Sequence, residues 1–111
     1  MTGDARKAYL RLAEVVREQQ SKGKHKSFEN QLLDAIDHKI SMLLENPFYG
    51  NNIPKRLIPK KYGVKNLWRV ELTRYWRMLY TITSKHIKIV CFILDILPHK
   101  EYDKKFGYKK K

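Results

Sequence analysis

A single cysteine, Cys91, leaves no intrachain disulfide to form, which excludes the disulfide-stapled class of small secreted domains. Long apolar runs are missing as well. The longest, Ile89 to Leu94, falls far short of the about 20 residues that a membrane-spanning helix needs. The N-terminal stretch MTGDARKAYL has no apolar signal-peptide core, so a cytoplasmic protein with no membrane partner is expected. Four scattered histidines and one cysteine give no zinc-ligand spacing. No glycine-rich loop joins a strand to a helix, and no Gly-x-Ser-x-Gly elbow occurs. Metal, nucleotide-cofactor and serine-hydrolase chemistries drop out, and no cofactor is expected.

Acidic residues are scarce in one half only. Residues 1–53 hold 8 basic and 7 acidic residues, a net of +1, whereas residues 54–111 hold 16 basic and 4 acidic, a net of +12. Charge at this density opposes compaction by self-repulsion and usually answers a polyanion, most often nucleic acid. A lysine-rich surface kept for solubility is the plainer reading. A chain of 111 residues makes one domain and buries roughly 65% of its unfolded surface, enough for a core without staples.

The pattern divides the chain into a helical hairpin (1–46), a basic loop (47–65), antiparallel strands (66–97) and a basic C-terminal tail (98–111). Asp4 can cap a first helix to about Gln20, with Ala5, Ala8, Tyr9, Leu12, Val15 and Val16 in one stripe. Ser21 to Lys26 reads as a loop. Ser27 can cap a second helix whose Phe28, Leu32, Leu33, Ile36, Ile40, Leu43 and Leu44 share a face, stopped by Asn46-Pro47. The glycines and prolines between Phe48 and Gly63 suit a loop with one short edge strand. Asn66 to Leu72, Tyr75 to Thr83 and Ile87 to Ile96 are strand-like, and their short connections imply a meander. The expected fold class is therefore α+β, an N-terminal helical hairpin packed on a small antiparallel sheet.

Alternation sends Trp68, Val70, Leu72, Trp76, Met78, Tyr80 and Ile82 toward the helices and leaves Arg69, Glu71 and Arg77 on the opposite, open face. The last strand is apolar on both faces, which suits a position covered on both sides, and its phase is not fixed by pattern. Two guanidiniums beside a carboxylate can hold a scissile phosphate and take a proton. The same three residues can equally form a cross-strand ion pair worth about 0.2–1 kcal/mol. His99 can act as acid or base near neutral pH, or simply sit in a basic tail. Tyr75, Trp76, Tyr80, Tyr102 and Tyr108 could stack on bases, although Trp76 and Tyr80 fall on the core side. His25, His38 and His86 read as surface residues. Lys55, Arg56, Lys60, Lys61, Arg74, Lys100, Lys104 and Lys105 are candidate contacts to an RNA backbone.

The order helix, helix, meander, together with the segments ENPFYGNNIPKRL (45–57), NLWRVELTRYWRMLYTI (66–82) and FILDILPHKEYDKKF (92–106), resembles the RelE/ParE superfamily of type II toxins. WRMLY is the most specific stretch, similar to the family's YR-hydrophobic-hydrophobic-Y signature. The resemblance implies a small α+β ribonuclease that cuts mRNA in the ribosomal A site and is silenced by an antitoxin. Arg77 matches the signature arginine associated with phosphate stabilisation, Arg69 a usual basic strand residue, and Glu71 a position where some members carry lysine. His99 and Lys100 match the turn after the last strand. The implied reaction is attack by the RNA 2′-hydroxyl, with Glu71 or His99 as base and His99 or Tyr102 protonating the leaving oxygen. Members usually begin with a strand, whereas residues 5–20 read as helix with room for a short strand within 5–12. The superfamily also holds ParE-like gyrase poisons without the catalytic set, and a non-catalytic RNA- or ribosome-binding protein is the third reading.

Overall fold

Helix formation begins at Thr2 and not at Asp4. In the computed structural model, which describes residues 1–73, 75–84 and 86–94, α1 spans Gly3–Ser21 and the Thr2 hydroxyl accepts from the Ala5 amide. Thr2 is also tied to the sheet. Its amide donates to the Ile89 carbonyl at 2.9 Å and its hydroxyl to the Val90 carbonyl at 2.8 Å. One residue thus serves orphan groups of a helix end and of an edge strand, while Asp4, inside the first turn, complements the helix dipole. Residues 5–12 are helical, and among the described residues no strand precedes α1.

Helix α2 spans Phe28–Glu45 with Ser27 at its N-cap, as expected. The hairpin angle is held by Asn30, a buried amide. Its Nδ2 donates to Ser27 Oγ at 2.7 Å and to the Lys24 carbonyl at 3.2 Å, and its Oδ1 accepts from Gln20 Nε2 at 2.7 Å. A satisfied buried polar group of this kind favours one arrangement over others. Asn46 ends α2 and accepts from the Phe48 amide, and Pro47 starts a single 3₁₀ turn, Pro47–Tyr49.

Four antiparallel strands follow in sheet order β1-β2-β3-β4: β1 Asn51–Asn52, β2 Trp68–Glu71, β3 Trp76–Thr83 and β4 His86–Leu94. The meander and the short edge strand are as the pattern requires; residues 95–97 of the expected last strand lie outside the described residues. Strand β2 starts two residues later than expected because Asn66 pairs through its side chain. Its Oδ1 accepts from the Ile82 amide at 2.8 Å and the Thr81 hydroxyl at 3.0 Å, and its Nδ2 donates to the Ile82 carbonyl at 3.0 Å.

Both sheet faces are covered. Ala5, Leu32, Ile36 and Leu43 pack on Val70, Met78, Tyr80 and Ile89, with Trp68, Leu72, Trp76 and Ile82 at the margin, so the expected core face is the observed one. Leu44 departs from the expected stripe and is exposed, one position past the fully buried Leu43 and so about 100° round the helix from it. The opposite face was expected to be open. Instead residues 53–67 fold across it. The Ile53 amide closes the loop onto the Leu67 carbonyl at 2.9 Å, and Leu57, Ile58, Tyr62 and Val64 pack toward Leu79, Val90 and Ile93. Leu79, Val90 and Ile93 on that face demand a cover, and the loop carries its own apolar residues to supply it. The register of β4 explains why its phase is not legible. Leu79 pairs with Cys91 but Tyr80 pairs with Ile89, so Val90 is an extra residue and both Val90 and Cys91 join the loop-side cluster.

The exit from α2 depends on Tyr80, which has no exposed surface. Its hydroxyl donates to the Pro47 carbonyl at 2.7 Å and accepts from the Gly50 amide at 3.0 Å. A Cβ at Gly50 would stand 2.6 Å from that hydroxyl and 2.8 Å from the Arg69 carbonyl. Burial pushes the Tyr80 phenol above its ordinary pKa, against a lowering by the Gly50 amide.

Tyr80→Phe is expected to lower unfolding stability by about 1–3 kcal/mol, the cost of stranding the Pro47 and Gly50 groups. Gly50→Ala is expected to destabilise as well. In the Tyr80→Phe background its effect should shrink, since one of the two clashes is gone; urea unfolding of the four proteins measures that coupling. A second expectation concerns alkaline pH. The Tyr9 hydroxyl donates to Asp37 Oδ1 at 2.7 Å, and this hydrogen bond, with burial and the carboxylate charge, pushes the phenol from 10.0 up to about 12. A raised folded pKa stabilises fully below pH 10, and that contribution is lost as pH rises from 10 toward 12. Tyr9→Phe should flatten this part of a stability-versus-pH curve.

Candidate nucleic-acid interface

Strands β2 and β3 bring three of the chemistry-bearing residues together. Glu71 and Arg77 are direct cross-strand partners, and Arg69 pairs with Leu79, which sets it diagonal to Arg77 on the same face, about 7–8 Å away along the backbone. Asn51 of β1 lies opposite Arg69 on the other side. The Arg77 Nη2 stands 3.9 Å from Glu71 Oε2, and its Nη1 donates at 3.5 Å to the Trp76 carbonyl.

Exposure separates the three residues. Arg77 is 7% exposed, Arg69 is half-buried, and the Glu71 side chain is 67% exposed. This corrects the expectation of an open face bearing all three equally. Arg77 lies beside Ile93 in the register, next to the cluster that residues 53–67 cover, so its side chain is packed away from solvent while Nη2 still faces Glu71.

The remaining candidates fall into three groups. Lys55 and Arg56 lie on a 3₁₀ turn, Lys55–Leu57, and Lys60 and Lys61 on another, Lys60–Tyr62; all four are exposed. Gly63 closes the second turn at φ +61°, a left-handed conformation that suits glycine. Lys61 Nζ sits over the Tyr62 ring, 5.4 Å from its centroid. Arg74, His99, Lys100, Tyr102, Lys104 and Lys105 lie outside the described residues, as does Tyr108. Of the aromatics, Tyr75 is 58% exposed, while Trp76 and Tyr80 belong to the helix-side core as alternation requires. His25, His38 and His86 are exposed.

Two participants have weak sequence signals. Lys65 joins Lys55, Arg56 and Lys60 around one groove, a convergence that only the closing of the loop creates; the available hint is that no acidic residue occurs from 46 to 70. Trp68 is the other. Its ring meets Phe48 edge-on at 5.5 Å and stacks on Tyr80 at 6.2 Å, and its buried indole N–H has no acceptor among the described residues. A separate apolar pocket of about 290 Å³ lies between α1, α2, Trp76 and Phe92, with Arg11 at its wall.

Among the described residues no helix is long and apolar enough to cross a membrane, and no group of three or more His, Cys, Asp or Glu is placed to hold a metal ion. No family model matches the chain, and neither a curated protein nor a solved structure does.

Glu71→Gln is expected to change stability by under about 1 kcal/mol, because its pairing with Arg77 is largely solvated on the Glu71 side. Arg77→Ala should cost clearly more, through the lost packing of its buried stem. Equal losses in urea unfolding would show that the ion pair, and not the stem, carries the energy.

Proposed function

We propose that the chain is a metal-independent endoribonuclease that cleaves mRNA at the ribosome, the toxin of a type II toxin-antitoxin pair. The observation that carries this reading is the cluster of Arg69, Glu71 and Arg77 on adjacent strands, which follows a stretch without acidic residues from 46 to 70. The RelE/ParE-like order of elements and the WRMLY segment support it.

In this reading the exposed Glu71 carboxylate accepts the proton of an RNA 2′-hydroxyl. The freed oxygen attacks the adjacent phosphorus, and the bond to the 5′ oxygen breaks. Products are a 2′,3′-cyclic phosphate and a 5′-hydroxyl. Arg69 bonds the phosphate, and the Arg77 guanidinium, behind Glu71, offsets the negative charge that grows in the transition state. His99 or Tyr102 returns a proton to the leaving oxygen. The partner implied is an antitoxin protein that is acidic or adds a strand. The near-complete burial of Arg77 favours a second reading, a binder without chemistry, either a ParE-like gyrase poison or an RNA- or ribosome-binding protein.

The test is primer extension on a defined mRNA in a translating extract, with end-group analysis of the fragments. Cuts ending in a cyclic phosphate are expected from the wild-type chain, reduced about 10²- to 10⁴-fold by Glu71→Gln and about 100-fold or more by Arg69→Ala. Intact mRNA with folded protein, or cleavage unchanged in both variants, would sink the nuclease reading; DNA damage with intact mRNA would favour gyrase.

A further inference from the structure

We infer that the closed loop of residues 53–67 is a second phosphate-binding site, a groove that tracks the backbone of single-stranded RNA away from the β2–β3 cluster. This rests on the nucleic-acid reading above but does not need cleavage. Lys55, Arg56, Lys60 and Lys65 converge on one open groove of about 440 Å³ floored by Ile58, Pro59 and Val64. None of these four cations has a carboxylate partner among the described residues. Like charges gathered this way repel, so their convergence has to be imposed by the structure. It is imposed by the Ile53–Leu67 hydrogen bond and by burial of Ile53 and Leu67, with Ile58 and Val64 packed against the same cluster.

The kind of polyanion follows from what the groove offers. Four of its backbone donors are spent internally: the Leu57, Ile58, Tyr62 and Gly63 amides donate to the Pro54, Lys55, Pro59 and Lys60 carbonyls, and residues 53–67 hold no strand. An extended acidic peptide would find no strand edge to extend. The groove presents a row of side-chain cations over an apolar floor. Phosphates can meet the cations while sugar and base faces lie on Ile58, Pro59 and Val64.

The test is the salt dependence of binding, using a fluorescent 2′-O-methyl oligoribonucleotide, which cannot be cleaved by 2′-hydroxyl attack. Replacing Lys55, Arg56, Lys60 and Lys65 together by glutamine should flatten the slope of log K against log salt by about 0.7 for each cation that meets a phosphate. Lys60→Arg and Lys65→Arg keep the charge and should keep the slope. All variants are checked for wild-type melting by circular dichroism, and a single Lys60→Glu reversal serves if the fourfold variant is unstable. An unchanged slope overturns the inference. So does displacement of the oligonucleotide by polyglutamate as readily as by RNA at equal charge, which would assign the groove to an acidic protein. If the wild-type chain leaves mRNA intact yet the groove variant loses binding, the nuclease reading falls and the groove stands. If cleavage occurs and the slope does not move, the groove falls alone.

Discussion

The Tyr80 hydroxyl holds together two parts of the chain that local forces would leave independent. By bonding the Pro47 carbonyl and the Gly50 amide it fixes how the chain leaves α2. That exit aims β1 at β2, where Asn51 meets Arg69, and it sets the point from which residues 53–67 depart. Gly50 fits there because the tyrosine and the Arg69 carbonyl leave no room for a Cβ. The NP-containing turn and the WRMLY strand, far apart in sequence, are one mechanical unit.

From that anchor the sheet acquires two cores. The helices cover one face and the closed loop covers the other, and the bulge at Val90 lets β4 contribute to both. The same bulge presents the Ile89 and Val90 carbonyls to Thr2, so the start of α1 is positioned by an irregularity in the edge strand. Asn66 plays the matching part at the other end of the loop by bonding β3 through its carboxamide.

The electrostatics follow from this arrangement. A loop folded over apolar residues turns its cations outward, and the stretch from 46 to 70 has no carboxylate to neutralise the Lys55, Arg56, Lys60 and Lys65 that line one groove. Arg77 is the exception. Its place opposite Glu71 and Ile93 draws it under the cover, where the carboxylate and its own packed stem settle it. The face therefore grades from a buried guanidinium through a half-buried one to exposed cations.

Local rules determined much of this protein. Helical periodicity placed both helices, β-branched and aromatic runs placed the meander, and strict alternation placed Trp68, Val70, Met78 and Tyr80 in the core, since each depends on contacts a few residues away. That Arg69, Glu71 and Arg77 share one face was legible for the same reason, whereas the register that sets Glu71 opposite Arg77 and Arg69 diagonal to it came from the structure. Tertiary structure alone decided that the second face is closed, that Arg77 is buried, that Thr2 bonds to β4, that β4 carries a bulge, and that Lys65 joins Lys55, Arg56 and Lys60. Each of these needs residues distant in sequence to meet, and no periodicity records which loop will fold over which strand; the choice falls to whichever arrangement buries Leu79, Val90 and Ile93 while leaving the cations in water.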